Sequence, residues 1–522
     1  MQKILFLVSA HNSLSQRAWI ALTERGHDVA IAVVDSTSAM ESAVRTHAPD
    51  LIVCPFLKTM IPESIWRRHR CLIVHPGPRG DRGPSSLDWA IEFNKPDWGV
   101  TVLQADGEFD AGEVWATSTF KVRKVAKSSL YRHEVRRAAI EAIIDALDRL
   151  VLMGTPASAI AGGARVAPGG ARVAPGGARL APGGARVAPG PCLPLMTQEV
   201  RAIDWNSDRT ERILRKVRAG DGFPGVLDTI DGKRFHLFGA HPEGELRGRP
   251  GEVIAQRCDA ICRATIDGAV WLTHLKREDS GSQRHFKLPA TRALELAGSE
   301  LPVPEIGIAH DALIAPDHTY REISYREHAG VGYLRFDFYN GAMSTEQCWR
   351  LREAYAHARA QRHTKVIVLL GGDDYFSNGI HHNEIEAADD PAEESWRNLQ
   401  AIDDVVKDIV ETESHLVVSA LAGDAAAGGV PLALAADYVV AREDVVLNPY
   451  YQHMGGLYGS EYWTYLLPRR VGAARATQLT QAPFRAVGTR TAVRIGLLDG
   501  AFGVDLEEFR ACAVRFAERV AN

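Results

Sequence analysis

Over residues 1 to about 153, short apolar runs alternate with longer amphipathic stretches. Runs of four to six apolar residues between turn formers predict buried strands, and amphipathic stretches predict helices. The pattern predicts strands over 3–8, 27–33, 50–54, 71–74 and 100–105. It predicts helices over 13–25, 38–47 and 128–152, and the start of a helix over 87–93. Strands alternating with helices imply an α/β domain with a doubly wound parallel sheet. Residues 162–189 then repeat Gly-Gly-Ala-Arg-Val-Ala-Pro four times, with Leu180 the only substitution. Two glycines and a proline per copy forbid a continuous helix, so this stretch reads as a linker.

Beyond the repeat the pattern shortens. A helix is expected over 207–218, capped by Ser207 or Asn206, followed by strands over 225–229, 234–240, 251–255, 260–265 and 269–275. Five short strands at this spacing suggest a small, OB-like β-barrel. A third region returns to alternation, with strands over 331–336, 366–370 and 416–421 and helices over 344–362 and 396–412. The chain therefore divides into segments 1–155, 156–192 (linker), 193–295, 296–324 (connector) and 325–522.

A net charge of -5 and a pI near 6.5 leave no basic footprint for nucleic acid. No apolar stretch approaches the ~18 residues of a membrane span. Seven scattered cysteines suggest a reducing, cytoplasmic setting, and the closest pair, Cys258 and Cys262, lacks the partners of a zinc site; no metal is expected.

Candidate chemistry begins at His75, where the 71–74 run stops and a Pro/Gly-rich loop opens. Ligands of open α/β sheets bind outside the carboxyl ends of the strands. A lone histidine there is as readily a strand cap, but Asp110 lies at a second strand–loop junction. The first turn, Ser9 to Ser13, has no Gly-x-Gly-x-x-Gly, which argues against a dinucleotide. In the third region, strands 366–370 and 416–421 both run into glycine-containing turns. Two such turns can aim two backbone N–H groups at one point, the simplest oxyanion hole; they can equally serve close packing alone.

Residues 1 to about 290 resemble the N10-formyltetrahydrofolate-dependent formyltransferases. The carrying motifs are Ile73-Val74-His75-Pro76, Arg82-Gly83, Trp89-Ala90-Ile91, Asp110-Ala111-Gly112 and an apolar loop through Phe56 and Leu57; Ile203-Asp204-Trp205 and Phe223-Pro224-Gly225 carry it into the next domain. The resemblance implies His75 and Asp110 as catalytic and Phe56, Leu57, Arg82 and Asp106 as folate-binding. One departure stands out: Ile73 replaces the family's asparagine and cannot donate to an oxyanion. His75, a backbone N–H, Ser85 or Ser86 would have to take that load.

Residues from about 325 to the end resemble the crotonase (enoyl-CoA hydratase) superfamily through Phe376-Ser377-Asn378-Gly379-Ile380-His381 and the run Gly423 to Gly429. The resemblance places the two oxyanion N–H groups on Ile380 and Gly429, with Gly379 and Gly428 beside coenzyme A. Both hydratase glutamates are missing: Pro431 and Tyr450 stand in their positions. Among Tyr450, Tyr451, His453, Tyr458 and Glu461, the best acid/base candidate is Glu461, with Tyr451 orienting it.

The fusion of the two, in this order, resembles the HypX/HoxX-type maturation factors of [NiFe]-hydrogenases. That resemblance implies transfer of formyl from N10-formyltetrahydrofolate to coenzyme A, decarbonylation of formyl-CoA to CO, and hydrogenase maturation proteins as partners. Hydrolysis of formyl-CoA to formate, or a CoA-binding module without catalysis, are the alternatives.

Overall fold

The computed structural model describes residues 1–154, 192–299, 301–315, 318–451, 458–481 and 485–522. The heptapeptide repeat and His453 lie outside them. The chain forms two compact units, Met1–Thr197 and Gln198–Asn522. No helix among the described residues is long and apolar enough to cross a membrane. All seven cysteines are free.

The first unit is built on one six-stranded sheet: β1 (Lys3–Val8), β2 (Asp28–Val33), β3 (Leu51–Cys54), β4 (Cys71–His75), β5 (Asp97–Gln104) and β6 (Val114–Lys121), in the order β2-β1-β3-β4-β5-β6. β1 and β3 are buried along nearly their whole length, as strands covered on both faces must be. Asn12 caps helix Ser13–Glu24 by accepting from Ser15 N, and Ser36 caps Thr37–His47 by accepting from Ala39 N. The first four strands in order are parallel; β4–β5 and β5–β6 are antiparallel, which differs from the all-parallel expectation. The helix after β4, Ser86–Glu92, has seven residues and spans only ~10 Å. It cannot return the chain to the far edge of the sheet, so β5 starts at the carboxyl end of β4, with His75 opposite Thr101. β6 was not expected: its Thr-Ser-Thr centre reads as a loop, yet Val114, Trp115 and Ala116 are buried.

In the second unit, β7 (Val226–Ile230), β8 (Lys233–Glu243), β9 (Val253–Arg257), β10 (Ala260–Ala264) and β11 (Ala269–Arg277) run in the order β7-β8-β11-β10-β9, and β12 (Lys287–Pro289) also pairs with β11. All five expected strands are present, but the path is open and no closed barrel forms. The preceding helix starts at Thr210, not at 207. Ser207 Oγ and Asn206 N are both bonded to the Asp204 carboxylate, so neither residue caps the helix; Asp267, in the β10–β11 turn, accepts from Thr210 N instead.

The remaining strands wind as a two-sheet spiral. The larger sheet has β13 (Ile323–His328), β14 (Val331–Phe336), β15 (Val366–Leu370), β17 (Leu416–Leu421), β19 (Tyr438–Ala441) and β22 (Gly500–Ala501) in that order. The smaller takes β16 (Tyr375–Ser377), β18 (Asp424–Ala426), β20 (Val446–Asn448) and β21 (Val487–Gly488). β15, β17 and β19 each lead directly into a short strand of the smaller sheet, so the loops after β16 and β18 are stacked. Ser344 opens helix Thr345–Arg359 in a capping box with Gln347. Helix Pro391–Val410 begins five residues before its expected start, because Asp390 accepts from Ala392 N and Glu393 N ahead of Pro391.

Candidate active site

The first site is assembled at the carboxyl end of β4. His75 is buried, and each ring nitrogen faces a carboxylate: Nε2 lies 2.9 Å from Asp81 Oδ2, and Nδ1 lies 3.4 Å from Asp110 Oδ1. Asp110 holds a left-handed backbone (φ 54), and its second oxygen accepts from Gly83 N at 3.3 Å. Sequence reasoning brought His75 and Asp110 together; Asp81 was missed. The only signal for it was a carboxylate six residues on in a loop rich in turn formers.

Arg82 is committed to the protein itself. Its guanidinium donates to the Phe109 carbonyl and to Glu108, so it holds the loop that carries Asp110. Asp106 turns the same loop by accepting from Glu108 N. Phe56 and Leu57 follow β3 at the same sheet edge: Phe56 O accepts from Ser9 N, its ring meets Tyr131 edge-on at 6.3 Å, and Leu57 packs on the core around Ile52. Ser86 Oγ donates to Pro76 O and so serves the loop's own structure, whereas Ser85 Oγ accepts from Met196 N and ties the loop to a later segment of the chain. Ile73 is packed against the apolar core around Leu5 and Ile52.

The second site lies where β16 and β18 end. These strands are parallel neighbours, and the turns that follow them touch: a Cβ on Gly379 would fall 3.1 Å from Gly428 N, and one on Gly429 only 1.9 Å from Ser377 O. Glycine is required for that approach. The amides on either side of Ile380 are engaged, Gly379 N with Ser377 Oγ and His381 N with Asn398 Oδ1. Gly429 begins helix Gly429–Leu434, and the first N–H groups of a helix have no partner within it. Pro431 sits inside that helix.

Glu461 reaches this point from a distant part of the chain. It is buried, its carboxylate lies against Gly428, and Tyr451 donates to Oε2 at 3.3 Å. Burial pushes the Glu461 carboxyl up to about 7, with Asp403 raising it further against hydrogen bonds from Ser460 and Tyr451. Burial, reinforced by Glu461, likewise pushes the Tyr451 phenol well up. Asp403, on helix Pro391–Val410, accepts from Glu461 N at 2.7 Å. It steadies a segment in which Glu461 and Tyr462 are both left-handed (φ 56 and 52). Nothing in the local sequence marks Asp403. The His381 imidazole, in the position of the superfamily's aspartate, is lowered to about 4 by burial and caps helix His382–Ala387 by accepting from Glu384 N.

A carboxylate poised near neutrality beside two close glycine turns can exchange protons with a bound acyl group. An imidazole between two carboxylates can relay a proton in acyl transfer. Among the described residues no group of three or more His, Cys, Asp or Glu could hold a metal ion.

Three family models match: formyl transferase over residues 35–147, formyl transferase C-terminal domain over 195–284, and enoyl-CoA hydratase/isomerase over 326–522. The chain is similar to the hydrogenase maturation factor HoxX of Bradyrhizobium diazoefficiens, with 46% identity over 498 residues, 95% of this chain and 81% of that protein. Its first half is similar to a methionyl-tRNA formyltransferase of Variovorax paradoxus, 24% identical over 47% of this chain and 69% of that one. Among solved structures, HypX from Aquifex aeolicus in complex with tetrahydrofolic acid matches with a TM-score of 0.91 at 43% identity, covering 100% of this chain and 86% of that one.

Proposed function

The chain belongs to the HypX/HoxX family of hydrogenase maturation factors, and from that premise we propose that it makes CO from N10-formyltetrahydrofolate by way of formyl-CoA. The observation that carries this reading is the Glu461 carboxylate lying over the paired glycine turns. That arrangement suits the removal of a proton from a small thioester, with Pro431 and Tyr450 standing at the positions of the hydratase glutamates.

In the first step the thiol of coenzyme A attacks the formyl carbon. The S–C bond forms, the C–N10 bond breaks, and the thiol proton ends on N10. His75 polarises the formyl group, and Asp110, accepting from His75 or a bound water, shuttles that proton. Tetrahydrofolate bound to a relative of 43% identity supports a folate pocket at the sheet edge formed by Phe56, Leu57 and the Asp110 loop. In the second step Glu461 takes the formyl proton, the C–S electrons go to sulfur, CO leaves, and the proton returns to the thiolate. The amides of Ile380 and Gly429 hold the formyl oxygen meanwhile, and Tyr451 orients Glu461. The partners of such a CO source are hydrogenase maturation proteins, and seven unpaired cysteines fit the cytoplasm as its setting.

The test is a headspace assay on the purified protein with N10-formyltetrahydrofolate and coenzyme A. CoA-dependent CO is the expected result. Formate without CO would replace the second step by hydrolysis, and folate turnover indifferent to CoA would leave the second site as a docking module.

A further inference from the structure

The loop after β4 is folded so that Asp81 returns to His75. Asp81 N donates to Pro78 O at 2.9 Å, closing a tight turn in which Gly80 takes φ 89. A turn of this kind needs glycine at that place. Three bonds fix the loop at its start: Thr101 Oγ1 donates to Gly77 O at 2.8 Å, and Ser86 Oγ and Trp98 Nε1 both donate to Pro76 O. The Asp81 side chain is only 8% exposed. Gly77 leaves the room for this contact: a Cβ there would lie 2.2 Å from Asp81 Oδ2 and 2.4 Å from His75 Nε2.

We propose that Asp81 is a positioning residue for formyl transfer, holding the His75 imidazole through Nε2 so that Nδ1 is the nitrogen that handles the proton. An ionised carboxylate only accepts, so the nitrogen in the closer contact, Nε2 at 2.9 Å from Asp81, carries the hydrogen of the neutral ring, and Nδ1, 3.4 Å from Asp110, takes up the proton that makes the imidazolium. The 2.9 Å contact to Asp81 is shorter than the 3.4 Å approach of Asp110, which marks Asp81 as the fixed side and Asp110 as the side facing the reaction. The inference rests on the formyl-transfer reading above. Nδ1 takes the thiol proton as sulfur bonds to the formyl carbon, and the resulting imidazolium faces the oxyanion. The C–N10 bond then breaks as Nδ1–H protonates N10, with no net gain or loss of protons. This also accounts for Ile73: a charged donor on His75 supplies the stabilisation that an asparagine would otherwise give.

The test compares Asp81→Asn, Asp81→Ala and Gly77→Ala with the wild type. CoA-dependent release of tetrahydrofolate should lose roughly 10²- to 10⁴-fold in kcat, the range seen when a histidine's orienting carboxylate is removed. Tetrahydrofolate affinity should be unchanged, and the melting curve should be unchanged in Asp81→Asn, which keeps the shape of the turn. In ¹⁵N-histidine NMR the wild-type His75 should carry hydrogen on Nε2, and the Asp81 variants should lose that preference. Wild-type kcat together with an unaltered Nε2–H signal in Asp81→Ala would overturn the proposal. A wild type that releases no tetrahydrofolate with CoA would overturn the formyl-transfer reading instead, while the NMR comparison would still decide the role of Asp81.

Discussion

The Glu461 carboxylate occupies the space a side chain on Gly428 would need: a Cβ there would lie 2.0 Å from Oε1 and 2.2 Å from the carboxyl carbon. Gly428→Ala therefore has to displace Glu461 or open the turn. Because Tyr451 holds the far oxygen, the displacement breaks that bond as well. The expected outcome is loss of CO formation by roughly two orders of magnitude or more, well beyond any change in tetrahydrofolate release. Headspace CO measured beside tetrahydrofolate release checks it, and equal CO from the variant would remove Glu461 from the chemistry.

A base must be ionised to accept a proton. With the Glu461 carboxyl raised to about 7, the CO-forming step should fall as pH drops through that value. The groups facing it are Tyr451, Asp403 and the buried Cys348 thiol, and of these Asp403 is the anion that raises it. Asp403→Asn removes that charge while its amide oxygen can still accept from Glu461 N. The acid limb of the CO profile should move to lower pH in this variant. An unmoved limb, with turnover otherwise normal, would separate Asp403 from the titration.

The same shift has a stability consequence of known sign. A carboxyl whose folded value lies above its unfolded one stabilises most when protonated, and that stability is lost as pH rises towards about 7. Glu461→Gln has no charge to bury. Relative to the wild type it should melt higher at pH 8 than at pH 5, while making no CO at either and still deformylating the folate. Identical differences at the two pH values would mean that Glu461 is not buried as an ion.

Much of this was legible in the chain. β14, β15 and β17 were placed to the residue, because an apolar strand between turn formers leaves few alternatives. Glu461 and Tyr451 were singled out as titratable groups crowding a region that had lost its glutamates, and they meet. The reversal at β5 was not legible, since it follows from the shortness of one helix. Nor was β6, whose polar residues lie on its exposed face. Asp81 and Asp403 escaped for different reasons: Asp81 is six residues from His75 but meets it only because the loop turns back, whereas Asp403 lies on a helix far from Glu461 in the chain, where no local pattern records the encounter.

Asp110 offers the sharpest test of the first site. Oδ1 lies 3.4 Å from His75 Nδ1, Oδ2 takes the Gly83 amide, and the backbone is left-handed, a conformation asparagine also adopts. Asp110→Asn thus preserves the shape of the loop and removes only the charge and one acceptor. Transfer of the thiol proton to N10 should fail: tetrahydrofolate release should drop by roughly 10²-fold or more, and CO should vanish with it because no formyl-CoA is made. Supplying formyl-CoA directly should restore CO at the wild-type rate, since Glu461 and the glycine turns are untouched. Normal folate turnover in this variant would show that His75 works without Asp110, and CO that stays absent with added formyl-CoA would show that the two sites are not chemically separable.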